Sequence, residues 1–160
     1  MMAFNDERQR LAYERVRDFA YSLFGETNVQ TVEDLLALQE GSTVVYLRVF
    51  PITSEKPGVE VFSYIVTDVP ASEELMRFLL TYNLKLTMGA FGLMIEESNR
   101  ATVLLTHTIP AEALSKEGLY LSVSAVARVA DNVDDLLVEK FGGRTAIGMH
   151  GRNDPHERWE

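Results

Sequence analysis

The stretch TYNLKLTMGAFGLMIEESNRATVLLTHTIP runs from Thr81 to Pro110 and decides the fold, because it passes from a helix end through Gly89 and Gly92 into two apolar runs. A phosphate-binding loop needs its glycines to lead from a strand into a helix N-terminus, where free N–H groups meet an anion. Here the order is reversed. A helix precedes the glycines and an extended run follows, so they read as a strand kink or a close-packing point. The runs from Met88 to Ile95 and from Thr102 to Ile109 then form a strand pair around EESNR, and Pro110 bars continuation.

Upstream, Ser72 followed by Glu73 and Glu74 is a helix start, with Leu75, Phe78, Leu79, Tyr82 and Leu86 as its apolar stripe. TVVYLRVF (from Thr43) and VEVFSYIVT (from Val59) are β-branched and aromatic, and EKPG between them supplies two turn formers, so they read as a hairpin. NVQTVEDLLALQEGS is ambiguous: its Leu and Ala favour helix, but it is short and QEGS resembles a turn into the next strand. The reading leans to a strand. At the start of the chain Asn5 can cap a helix whose first turn holds Asp6 and Glu7, striped by Ala12, Val16, Phe19, Ala20 and Leu23 and ended by Gly25. Downstream, a long helix from Ser115 to Phe141 carries Leu119, Val123, Val126, Ala130, Val133 and Leu137 and stops at Gly142 and Gly143.

Hairpin-length connections force antiparallel pairing, which makes the chain an α+β protein. Two central strands are apolar on both faces. Val45, Leu47 and Val49 oppose Val44, Tyr46 and Phe50, while Val59, Val61 and Ile65 oppose Phe62, Tyr64 and Val66. A sheet with one wet face would alternate with polar residues. Three helices cover one face and part of the other, so the remaining apolar surface implies a second subunit or a bound apolar segment.

The 160 residues suit one domain with a core that needs neither disulfide nor metal. A net charge of −9 with scattered basic residues argues against nucleic acid and against an anionic membrane surface. There is no cysteine, hence no thiolate chemistry. The N-terminal MMAFNDERQR is charged where a signal peptide is apolar, and no run approaches the ~18 apolar residues of a membrane span, so the expected location is the cytoplasm.

Chemical motifs are sparse. His107 shares a strand face with Leu105 and Ile109 and has no ligand-spaced partner nearby, so it reads as a core or rim histidine. DNVDD (Asp131 to Asp135) fails as a calcium loop because Val133 and Leu136 stand where an acidic residue and a glycine are required. His150 and His156, beside Asp154 and Glu157, lie in a polar tail without fixed geometry, and no metal site is expected. The chain has no Gly-x-Ser-x-Gly elbow, and the adjacent acids Glu73–Glu74 and Glu96–Glu97 point in different directions. Arg48, inside an apolar strand, requires a carboxylate partner or an interface unless it sits at the strand end and snorkels.

With element order and motifs in view, the chain resembles YbjN-type proteins within the wider group similar to type III secretion chaperones. The matching stretches are EGSTVVYLRVFP, DVPASEELMRFLLTYNLKLTMGAFGLM, VLLTHTIP and VSAVARVADNVDDLLVEKFGG, together spanning roughly residues 29 to 143. The best discriminator is the helix started after Pro70, with Asn83 near its end, followed by Gly89, Phe91 and Gly92. The resemblance implies an antiparallel five-stranded sheet with three helices in the order α-β-β-β-α-β-β-α, with a first strand near Val32. It implies no catalytic residue and no cofactor. It also implies a homodimer holding extended segments of client proteins in hydrophobic grooves, or a regulatory role. No client-binding residue carries over, and the tail lies outside the match.

The expected organisation is therefore a domain over residues 1–143 and a polar, loosely held tail over 144–160. The expected function is a non-enzymatic, chaperone-like module that holds a partner polypeptide, with Tyr46, Arg48, Phe62 and Tyr64 as candidate contacts. For each of these, core or dimer packing is the plainer role. The alternatives are an enzyme or small-ligand sensor, marked by a deep pocket where His107, Arg48 or carboxylates converge, and a structural subunit of a larger assembly.

Overall fold

The computed structural model describes residue 4 and residues 6–146. Helix α1 spans Glu7–Phe24, and its N-cap is Asp6, whose carboxylate accepts the Gln9 N–H at 2.9 Å. Asn5, the expected cap, lies outside the described residues. Tyr13, Val16 and Ala20 bury one face of α1, and the helix ends at Gly25. Four antiparallel strands follow: β1 (Val29–Val32), β2 (Leu35–Glu40), β3 (Thr43–Pro51) and β4 (Pro57–Pro70). Helix α2 (Glu73–Asn83) is capped by the Ser72 hydroxyl, which accepts the Leu75 N–H at 3.1 Å. Strands β5 (Ala90–Ile95) and β6 (Arg100–Pro110) come next, then α3 (Lys116–Phe141), capped by Ser115 and closed at Gly142, and finally β7 (Arg144–Thr145).

Among the described residues the sheet has seven strands, not five, so the five-strand expectation is corrected in two places. Near Val32 the expected single strand is a hairpin, Val32 pairing with Leu35 across Glu33 and Asp34. Glu33 adopts a φ of 56° there, a conformation that glycine or asparagine adopts more readily, so the sequence carried no turn signal. The second addition is β7, which pairs with Val66 and Thr67 of β4. Gly143 permits it, because at φ 82° a Cβ on this residue would lie 2.7 Å from the Thr67 carbonyl oxygen. The tail expected to be loose over 144–160 is thus held at residues 144–146, where the buried Ala146 donates its N–H to the Ile65 carbonyl at 3.0 Å. The rest of that tail lies outside the described residues.

Strand order is β1-β2-β3-β4-β6-β5, with β7 beside β4 on the edge opposite β6. One face of the sheet meets the helices. Leu36, Leu38, Val45, Leu47, Val59, Val61 and Leu105 pack there against Val16 and Ala20 of α1, Leu75 and Leu79 of α2, and Leu119, Val123, Val126, Ala130, Val133 and Leu137 of α3. The α3 stripe is the one its spacing predicts. On the opposite face lies a second apolar cluster, whose described members Leu35, Ala37, Tyr46 and Phe62 are strand residues. Val66 departs from the simple alternation: the register of β4 against β6 shifts between Tyr64 and Val66, and Val66 joins the helix-side core. Such a bulge adds a residue on one strand and re-aims the side chains beyond it.

Candidate functional site

Register, more than sequence spacing, gathers the candidate residues. Tyr46 pairs with Phe62 and Arg48 with Glu60 across the β3–β4 hairpin, so Tyr46, Arg48, Phe62 and Tyr64 share the helix-free face. Tyr46 stacks on Phe62 with centroids 5.3 Å apart and planes 18° apart, while Tyr64 sits 5.5 Å from Tyr46 and edge-on to Phe62 at 5.6 Å. Leu35 and Ala37 are buried with Tyr46 and Phe62 in this cluster, and Val32 and Val44 pack against it toward β1. Spacing alone had not revealed Val32, Leu35 and Ala37 here, because the β1–β2 hairpin was hidden.

Arg48 finds the carboxylate that a half-buried guanidinium requires. Its Nη2 lies 2.9 Å from Glu60 Oε2 and its Nε donates to the same oxygen at 3.0 Å, while Thr106 Oγ1 donates to Glu60 Oε1 at 2.7 Å. The Arg48 and Glu60 side chains are 25% and 11% exposed, so the pair is screened less than a surface bridge. The guanidinium carbon also lies 4.9 Å above the Phe50 ring. Glu60 was missed from sequence, although counting outward from the turn places it opposite Arg48. The face therefore has an aromatic half over β2–β4 and a polar, hydrogen-bonded half beside it.

Where the aromatic half meets α3, Thr43, Val44, Tyr46, Tyr64, Ile65, Ala130, Asp134 and Ala146 line a small, open cleft. Asp131 at this end accepts hydrogen bonds from the Ser42 hydroxyl, at 2.7 Å, and from the Thr43 hydroxyl. Burial pushes the Asp134 carboxyl above its ordinary range, and the neighbouring Asp135 and Asp131 charges act in the same direction. His107 does not share this face. It pairs with Val61, whereas Arg48 pairs with Glu60, so His107 and Arg48 lie on opposite sides of the sheet. Burial lowers the His107 pKa, as expected for a histidine at the rim of the helix-side core. Neither His107 nor Arg48 lines the cleft. Asp131 and Asp135 are exposed positions on α3. His150 and His156 lie outside the described residues, and among the described residues no three His, Cys, Asp or Glu side chains gather in a metal-holding group. Among those residues, too, no helix is long and apolar enough to cross a membrane.

Gly89 and Gly92 have separate roles. Gly89, at φ 79°, lies so close to β6 that a Cβ would sit 2.8 Å from the Thr106 carbonyl oxygen. At Gly92 the nearest atoms to such a Cβ belong to Leu104, at 3.9 Å, which is ordinary contact. Asn83, at the end of α2, meets the Phe91 backbone of β5: its Oδ1 accepts the Phe91 N–H at 2.7 Å. The motif joining Asn83 to Gly89, Phe91 and Gly92 thus builds the passage from α2 into the edge strand.

This fold and motif agree with the sequence comparison. The model of the family described as "T3SS (YopN, CesT) and YbjN peptide-binding chaperone 1" matches residues 11–149. The chain belongs to this family. No curated protein matches the chain in sequence. Among solved structures, a chain of the HopA1–SchA chaperone–effector complex is similar with a TM-score of 0.58 and 16% identity, over 81% of this chain and 98% of that one. YbjN from E. coli is similar with a TM-score of 0.53 and 11% identity, over 78% and 92%. A chain in the structure of the Yersinia pestis type III secretion chaperone SycH with a YscM2 fragment gives 0.51 and 19%, over 76% and 98%. At these identities the structural likeness establishes a shared fold. Family membership makes this chain a chaperone-like, peptide-binding module.

Proposed function

We propose that the protein holds an extended segment of a partner polypeptide on the helix-free face of its sheet, without catalysis, as a cytoplasmic homodimer. The observation that carries this is the register that puts Tyr46, Arg48, Phe62 and Tyr64 on one face, with an apolar cluster to which, among the described residues, no helix contributes. Aromatic side chains offer large contact area at small entropic cost, and the Arg48–Glu60–Thr106 group offers polar atoms for orientation. Family membership supports a peptide as the ligand, and the chaperone–effector and SycH–YscM2 complexes among the neighbours support a protein partner. Addition of a strand to the β5 edge is the weaker mode, since the Asn83 carboxamide already engages the Phe91 N–H there.

The dimer proposal rests on α2. Leu80 on α2 and Leu84 at its C-cap are 68% and 89% exposed, and a second copy would cover them. The division into a domain over 1–143 and a tail over 144–160 remains part of the proposal, with β7 as the attachment.

Fluorescence anisotropy with labelled peptides of alternating aromatic and polar residues tests the binding face. Saturable binding that weakens on Tyr64→Ala and on Arg48→Ala, with circular dichroism retained, is the expected result. Absence of binding, or binding indifferent to both substitutions, would overturn it.

A further inference from the structure

A row of rings runs along one flank of α2. Phe141, the last residue of α3, stands 5.5 Å from Phe78, Phe78 stands 5.7 Å from Tyr82, and Tyr82 meets Phe91 of β5 edge-on at 5.6 Å. Phe91 is buried, whereas Phe78, Tyr82 and Phe141 pack against the helix-side core and stay half-exposed. At about 100° of turn per residue, Phe78 and Tyr82 lie on the other flank of α2 from Leu80, so contact between copies through Leu80 does not use the row.

Two lysines supply an independent observation. Lys140 Nζ lies 5.4 Å from the centroid of Phe78, and Lys85 Nζ lies 5.7 Å from that of Tyr82. Lys140 sits in the last turn of α3 and Lys85 just beyond the end of α2, where free helix carbonyls favour a cation, so both charges are held against the row. Elsewhere Arg48, Lys56, Arg77 and Arg100 are each paired with a carboxylate. Among the described residues neither Lys85 nor Lys140 enters an ion pair, although the chain carries 24 acidic residues against 15 basic ones. Both are exposed, and an ammonium resting on a ring keeps N–H donors for another acceptor. At physiological salt the field of more distant charges is screened within ~8 Å, so these lysines, rather than the net charge of −9, set the attraction at the row.

We propose that this row docks an acidic amphipathic helix of a partner protein, with an apolar side chain over Phe78 and Tyr82 and a carboxylate on each of Lys85 and Lys140. The 5.7 Å between the two rings is close to the ~5.4 Å pitch of a helix, so acidic residues one turn apart reach both lysines. An apolar residue at the intervening i+3 position shares their face. The surface lies apart from the helix-free face of the sheet and does not depend on binding there.

Fluorescence anisotropy of the full-length protein tests this with a labelled amphipathic peptide carrying glutamates four residues apart and leucine at i+3, and with the same peptide bearing glutamine for each glutamate. The acidic peptide should bind several-fold more tightly than its glutamine counterpart. Lys85→Gln with Lys140→Gln, far-ultraviolet dichroism retained, should abolish that preference, and Lys85→Arg with Lys140→Arg should keep it. Absence of binding, equal binding of the two peptides, or a preference that survives loss of both lysines would overturn the proposal. So would a preference lost on Tyr64→Ala, which means that the acidic segment lies on the helix-free face. If peptides of alternating aromatic and polar residues fail to bind while the acidic preference follows the lysines, this surface stands and the reading of the helix-free face falls.

Discussion

The Asn83 carboxamide stands where a neighbouring strand would: Oδ1 accepts the Phe91 N–H at 2.7 Å, and Nδ2 approaches the Phe91 carbonyl oxygen at 3.5 Å. Phe91 pairs with Leu105 on its inner side, so this side chain from α2 satisfies the outward backbone of an edge strand. Edge strands left open are templates for further pairing. Asn83→Ala is expected to destabilise the fold by ~1–2 kcal/mol, the cost of a lost hydrogen bond with a part-buried N–H left behind, and to increase self-association. Urea unfolding and light scattering check both effects.

The two glycines of the opening stretch should respond differently to the same substitution. Gly89→Ala is expected to cost about 2 kcal/mol or more, because the new Cβ meets the Thr106 carbonyl in a left-handed backbone conformation. Gly92→Ala should cost well under ~1 kcal/mol, since only Leu104 lies near and at contact distance. Thermal unfolding of the two variants measures the contrast.

Much of the fold was legible in the sequence. Ser72 and Ser115 start helices and Gly25 and Gly142 end them, as side-chain caps and flexible backbone require, and the β3–β4 hairpin follows from β-branched runs flanking a proline and a glycine. What escaped depends on tertiary partners. The Glu33–Asp34 turn uses a glutamate at positive φ, β7 is two residues long and exists because β4 leaves an edge free, and the bulge that turns Val66 inward is set by pairing with β6. The same distinction holds at the site. Excess apolar character on both strand faces marked Tyr46, Phe62 and Tyr64, whereas Glu60 as the partner of Arg48 emerges only from the hairpin register.

That pair predicts a coupling. In a double-mutant cycle of Arg48→Met and Glu60→Gln, each single change leaves a partly buried polar group without its main partner, and the double change removes both. The expected interaction energy is ~1–2 kcal/mol, above the median for exposed bridges. Denaturant midpoints of the four proteins measure it.

Asp134 gives a pH dependence of definite sign. Its folded pKa is raised above the unfolded value, so the proton is held more tightly in the native state. The stability this contributes is fully present below the unfolded pKa of an ordinary aspartate and is lost as pH rises through the raised folded value. Asp134→Asn should therefore stabilise the protein at neutral pH, by less than ~1 kcal/mol because the side chain is partly solvated, and the gain should vanish under acid conditions. Melting temperatures compared across pH check it.

The central claim is that a partner polypeptide lies on the helix-free face, and photo-crosslinking tests it most directly. p-Benzoylphenylalanine is placed at Tyr64 on that face or at Glu74 on the exposed side of α2, and each chain is irradiated with the labelled peptides. The account predicts covalent adducts from position 64 that unlabelled peptide competes away, and none from position 74. Equal adducts from both positions, or adducts from position 74 alone, would contradict it.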